Sequence, residues 1–90
     1  MGLRQTYRFQ YASGDDVRTF LSSFSHTVDI DDRRDFFVFT SRGDVSPFSM
    51  DFELVPEGLK SERAGEYFWF LGVFVESITG HFGPVEIEDV

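Results

Sequence analysis

One stretch constrains this chain more than any other. Residues 65–83 hold the single tryptophan, Trp69, and the longest apolar run, residues 67–75. Within it Phe68, Leu71, Val75, Ile78 and Phe82 recur at steps of three and four, the period of one helix face. Gly83-Pro84 ends it as a helix-terminating glycine followed by a proline that cannot continue the helix. A single strand of this length would far exceed the usual ~5–6 residues. Residue preference pulls the other way, because Phe, Trp, Tyr and Val favour strands and Gly72 costs ~1 kcal/mol against alanine in a helix interior. The spacing predicts a core helix, with a strand pair breaking near Gly72 or Thr79-Gly80 as the competing reading. The nine-residue apolar run is bracketed by Glu66 and Glu76. A bilayer crossing needs ~20 residues, so no membrane span is expected.

The opposite side of this helix carries Tyr67, Phe70, Val73, Phe74 and Ser77 and almost no charge. A helix with one face in water is polar on that face. This one is expected to be covered by its own fold or by another molecule. Phe70 and Phe74 are accordingly candidate partner-binding residues.

The rest of the chain supplies strands and one more helix. Residues 3–11 alternate, with Leu3, Tyr7, Phe9 and Tyr11 on one side and Arg4, Thr6, Arg8 and Gln10 on the other, as in a half-buried strand. Ser13-Gly14-Asp15 reads as a helix start capped by Ser13 or Asp15, and Val17, Phe20, Leu21 and Phe24 follow at helical spacing. Residues 27–35 read as a polar loop. Residues 36–40 form a second strand, apolar on both sides. Phe48, Met50, Phe52 and Leu54 alternate with Ser49, Asp51 and Glu53 in a third. Pro56-Glu57-Gly58 ends that strand, and residues 59–64 read as a charged connection to the large helix. Val85 and Ile87 alternate with Glu86 and Glu88 in a short final strand.

The resulting order, β-α-β-β-α-β, resembles the ferredoxin-like split arrangement in topology. That likeness implies a two-layer α+β domain over residues 1–90. Its antiparallel four-stranded sheet runs four, one, three, two, with both helices on one face. The order sets Arg4 and Arg8 between Glu86 and Glu88 on one side and Asp51 and Glu53 on the other. Opposite charges across neighbouring strands stabilise a sheet by ~0.2–1 kcal/mol per pair.

Ninety residues make one domain with one core, and 41% hydrophobic content with twelve phenylalanines can fill it. The absence of cysteine excludes disulfides and thiolate metal sites. No apolar leader of the secretory type is present, so a cytoplasmic location is expected. A formal charge of −8 repels nucleic acid and anionic lipid and draws basic partners.

Motifs for chemistry are sparse. Asp29, Asp31, Asp32 and Asp35 could suggest a divalent cation, but the spacing lacks the glycine and glutamate of an EF-hand loop. Arg33 and Arg34 also sit among them. His26 and His81 belong to no catalytic pattern. Arg42-Gly43-Asp44 reads as a tight turn. No phosphate-binding loop and no aromatic RNA-binding pattern appears. Neither a cofactor, a metal nor an enzymatic activity is expected.

The second strand would be an edge, leaving Phe36, Phe37, Val38 and Phe39 with an unpaired row of hydrogen-bonding groups. The expected function is a small non-enzymatic interaction module, homodimeric through that strand. The alternative is an acidic inhibitor or nucleic-acid mimic. It would present Asp29, Asp31, Asp32 and Asp35, or the face with Asp51, Glu53, Glu86 and Glu88, to a basic groove on a partner protein.

Overall fold

The computed structural model describes residues 3–43 and 47–89. Its elements in order are β1 (Leu3–Arg8), α1 (Gly14–Ser22), a 3₁₀ turn (Ser23–His26), β2 (Asp29–Asp32), β3 (Phe36–Thr40), β4 (Phe48–Val55), β5 (Gly58–Gly65), α2 (Phe68–Phe82) and β6 (Glu86–Asp89). One six-stranded sheet runs β2-β3-β4-β5-β1-β6. Every neighbouring pair is antiparallel.

The protein is thus a mixed α+β fold with two helices and an antiparallel sheet, but the sheet has six strands rather than four. The segment expected to be a polar loop contains β2, and the expected charged connection is β5. The four expected strands keep their relative order; β5 inserts between β1 and β4, and β2 flanks β3. The four-stranded split arrangement therefore does not describe this sheet. Arg4 and Arg8 do not meet Asp51 and Glu53 across a shared ladder. Arg4 lies opposite Glu62, and Arg8 lies opposite Glu86.

The two added strands escape a pattern search because their inward positions are poor in apolar side chains. On β5 those positions are Leu59, Ser61 and Arg63, all buried. The turn before it does carry a signal. Val55 pairs with Gly58 across Pro56-Glu57, a two-residue hairpin loop. Gly58 has φ 147°, and a Cβ there would collide with the carbonyl oxygen of Tyr7 on β1. Only glycine fits where the hairpin crosses its neighbour so closely.

Both helices cover one face of the sheet. Ser13 caps α1 through its side-chain oxygen, which accepts from the Asp16 N–H, and Asp15 and Asp16 occupy the positive end of the helix dipole. Val17, Phe20, Leu21 and Phe24 are all buried, as their spacing predicts. The layer between helices and sheet is mostly rings. Phe74 stacks on Phe52 at 4.5 Å, Phe70 on Phe48 at 5.3 Å, and Phe24 meets Phe70 edge-on at 5.5 Å. Such pairs add ~0.5–1.5 kcal/mol beyond the area they bury.

Candidate interaction surface

The six residues expected to meet a partner split into two groups. Phe37, Phe39, Phe70 and Phe74 are fully buried. Phe36 and Val38 point to the sheet face that carries no helix, where Phe36 is 36% exposed. The outward placement of Phe70 and Phe74 is corrected, because α2 is turned so that Phe70, Phe74 and Ile78 face the sheet. Leu71 and Phe82 fill the border of the core, while Phe68, expected inward, is 74% exposed. A helix apolar all round offers more than one stripe of suitable spacing. The rings of Phe48 and Phe52 select the stripe with the larger side chains.

The edge assignment of β3 is corrected as well. β2 pairs with it along Asp29–Asp32, so Phe36, Phe37, Val38 and Phe39 present no unpaired ladder. The true edges are β2 and β6, whose sequences are Asp-Ile-Asp-Asp and Glu-Ile-Glu-Asp. Rows of charge are a standard way of blocking strand addition from a second chain. The strand-pairing route to a dimer has no free apolar edge to use.

The acidic residues are largely engaged within the chain. Arg42 binds Asp29 at 2.9 Å and donates to the carbonyls of Ser25 and Val28, tying the 3₁₀ turn to β2. Asp44, the third residue of that tripeptide, lies outside the described residues. Arg33 pairs with Asp31 at 2.8 Å, and Arg18 reaches from α1 to Asp35 at 2.6 Å. Asp32 accepts the N–H of Arg34, a residue at φ 67° in the β2–β3 turn. These four aspartates hold a hairpin and its attachment to α1. Glu88 pairs with Arg8 at 3.1 Å. Asp51 and Glu53 on β4 and Glu86 on β6 have no arginine within ion-pair distance among the described residues.

Asp51 stands directly opposite Glu62, like charge against like charge. Partial burial pushes its carboxyl pKa up; the Glu62 N–H, donating to Asp51 Oδ1 at 3.0 Å, pulls it back, and the negative charge of Glu62 raises it further. Glu53, next but one on β4, lies opposite Lys60.

The outward side of α2 was missed as the site of exposure. Its first two turns show Phe68 at 74%, Trp69 at 42% and Val73 at 44% exposure, with Gly72 open between them. Phe68 stacks on Tyr67 at 4.6 Å, and Trp69 meets Phe48 edge-on at 5.6 Å, so both rings are held rather than loose. Glu76 is the single charged residue within α2 apart from any charge on His81. The signal in the sequence was the absence of polar residues on any side of residues 67–75.

At the start of α2 lies a second unusual feature. Arg63, on the inward side of β5, is 7% exposed. Its guanidinium sits 4.7 Å from the Tyr67 ring centre and Nη1 contacts the Tyr7 hydroxyl at 3.4 Å. Burial raises the Tyr7 hydroxyl pKa, against the opposing pull of the Arg63 charge. Arg63 Nε and the nearby Ser61 hydroxyl are sealed from solvent with no hydrogen-bond partner.

His81 stacks on Phe20 at 5.3 Å and approaches Asp16 at 3.4 Å, linking the two helices. Among the described residues no three His, Asp or Glu side chains converge as a metal site, and no helix is long and apolar enough to cross a membrane. No protein family, curated protein or solved structure matches the chain.

Proposed function

We propose that the protein is a non-enzymatic interaction module that pairs with a second copy of itself through the outward side of α2. The observation that carries this reading is Phe68, three-quarters exposed beside Trp69 and Val73 on α2. Burying a phenylalanine side chain is worth ~1.5–3 kcal/mol, and Phe68 has the largest exposed fraction of the exposed large hydrophobic residues. Gly72, with nothing within 4 Å of its Cβ position, lets a second helix approach closely.

Charge supports a second copy as the occupant. The carboxylates of Asp51, Glu53, Glu86 and Glu88 lie on the sheet face away from α2, and the helix itself carries only Glu76 as an acid. Two copies meeting α2 to α2 about a two-fold axis keep their acidic faces on opposite outsides. The acids nearest the contact are Glu66, just before the helix, and Glu76 within it, both exposed. Sedimentation equilibrium across the micromolar range tests the pairing. A concentration-dependent dimer that Phe68→Asp dissociates is expected; a strict monomer, or a dimer indifferent to Phe68→Asp, overturns it.

A second reading has its own support in Asp51, Glu53 and Glu86, which form no ion pair with an arginine among the described residues. On this reading the open sheet face meets a basic groove on another protein. Such binding should weaken steeply with added salt. Affinity for a basic partner that holds from low to high salt would count against it.

A further inference from the structure

We infer that the N-terminal end of α2, together with Arg63, forms a binding site for a carboxylate. The site does not rest on the α2 pairing proposed above but shares Phe68 with it, so carboxylate binding and pairing would compete.

Two positive features meet here without an anion. The first is Arg63, a residue more than nine-tenths buried whose Nε is sealed from solvent. No carboxylate lies within ion-pair distance of it among the described residues. A buried charge with no counter-charge is strongly unfavourable, and native folds normally pair it. The Tyr67 ring and the Tyr7 hydroxyl supply partial negative charge only, and the hydroxyl contact is long at 3.4 Å.

The second feature is the helix end itself. The N-cap of α2 is Tyr67, which makes no side-chain cap hydrogen bond, and the first turn contains no acidic residue. Helix α1, by contrast, has a Ser13 cap and two aspartates in the same positions. The first-turn N–H groups of α2 thus lack the side-chain acceptor that α1 provides, at the positive end of a fifteen-residue dipole. Arg63 lies against that same end, since its guanidinium stacks on the N-cap residue. Helix start and guanidinium both call for negative charge, and the side chain of the N-cap residue joins the two.

The geometry favours a carboxylate over a larger anion. Nη1 is turned to Tyr7, and Nε, sealed from solvent, has no hydrogen-bond partner, so a carboxylate would take the Nε–Nη2 edge once the ring cover moves aside. That edge matches the two oxygens of a carboxylate. The overall charge of −8 opposes polyanions such as nucleic acid. Tyr67 covers the guanidinium and Phe68 stacks on Tyr67. An entering carboxylate displaces this two-ring cover, and an apolar body attached to it would rest against Phe68. A small organic acid and the C-terminal carboxylate of a protein share this chemistry.

The test uses the intact chain, with sodium benzoate and a short peptide in free-acid and amidated forms, at constant ionic strength. Amide resonances of Phe68, Trp69 and Phe70 and the Arg63 Nε–H resonance are followed by NMR. Saturable shifts with benzoate are expected, together with a rise in the wild-type melting temperature. Arg63→Met should weaken binding roughly tenfold or more, the loss of a hydrogen bond to a charged group. Arg63→Lys, which keeps the charge but not the fork, provides the comparison if the Met variant does not fold, and should also bind more weakly. Response to the free-acid peptide but not the amide would support the site and point to a protein terminus. Response to benzoate alone would support it and point to a small acid. Absence of saturable shifts with both carboxylates, or equal shifts in wild type and the Arg63 variants, overturns the proposal.

Discussion

The two sides of α2 are built from the same residue types and meet opposite fates. Inward, Phe70, Phe74 and Ile78 are fully buried, Phe70 and Phe74 against the rings of β3 and β4. Outward, Phe68, Trp69 and Val73 stand in water over the same turns. Composition cannot separate them, since either set would serve as a core. The inward set is fixed by what the sheet offers beneath it. Ring-on-ring packing at 4.5 Å to Phe52 and 5.3 Å to Phe48 leaves one rotation of the helix far better matched than its neighbours. The outward set keeps much of its surface in water although Trp69 still meets Phe48 edge-on, and it is the set proposed above to pair with a second copy.

The largest expected effect separates the two sides. Phe74→Ala should destabilise the protein by about 3–5 kcal/mol, because a closely packed cavity opens under the helix. It should leave Phe68 and Trp69 exposed as before. Urea unfolding followed by Trp69 fluorescence measures the loss. A cost close to that of an ordinary surface change would mean the helix can rotate to recruit Phe68, and the contrast between the sides would fail.

The inward platform can also be disturbed from below. Gly58→Ala places a methyl group on the Tyr7 carbonyl and against the Phe9 ring, at a φ of 147°. A cost of about 2–3 kcal/mol is expected from strain at that position. Gly58 belongs to the β4–β5 hairpin, so once the variant is refolded at low temperature any dimer should persist. Denaturation and sedimentation on the same sample read the two quantities separately.

The outward side predicts the reverse pairing of effects. Phe68→Ser should change the stability of the monomer by no more than about 0.5 kcal/mol, the usual range for an exposed position, while weakening self-association. Thermal melts at low and high protein concentration distinguish the two, since an association that stabilises the fold makes the melting temperature concentration-dependent. A large loss of stability at low concentration would show that Phe68 works for the fold after all.

How much of this could be read beforehand follows the same contrast. Helix α1 was legible from its apolar stripe: Val17, Phe20 and Leu21 on the helix, and Phe24 in the 3₁₀ turn that follows it, are all buried, and Ser13, one of the two caps expected, is the cap. The existence of α2 was legible too, from its length and its Gly83-Pro84 end. Its rotation was not, because a helix without a polar side does not say which way it faces. β5 was hidden for the opposite reason, since two of its three inward residues, Ser61 and Arg63, look like surface residues. Missing β5 also hid Arg63 as a buried cation, and missing β2 made β3 look like an edge. The long-range pairing that sets a polar residue inward is a property of the sheet, not of the strand that carries it.

Asp51 is the polar counterpart of Phe68, a side chain in surroundings that do not favour it. Partial burial raises its pKa in the folded protein, and the neighbouring charges of Glu62 and Glu53 add to the rise, while the Glu62 N–H and Arg4 oppose it. A raised pKa means that the folded state holds the proton more tightly than the unfolded chain. Stability contributed by this group therefore falls as pH rises through the window from its unfolded value to its raised folded value. Asp51→Asn removes the charge and keeps an oxygen to accept the Glu62 N–H. At neutral pH it should stabilise the protein by about 0.5 kcal/mol, within the range for relief of a like-charge cross-strand pair. At acid pH below the window, where Asp51 is already protonated, the gain should vanish. Melting temperatures of the two proteins across that range would converge at low pH and separate above it. If wild type proved the more stable at neutral pH, the carboxylate would be stabilised where it stands, and its unpaired state on the open face would no longer mark it for a basic partner.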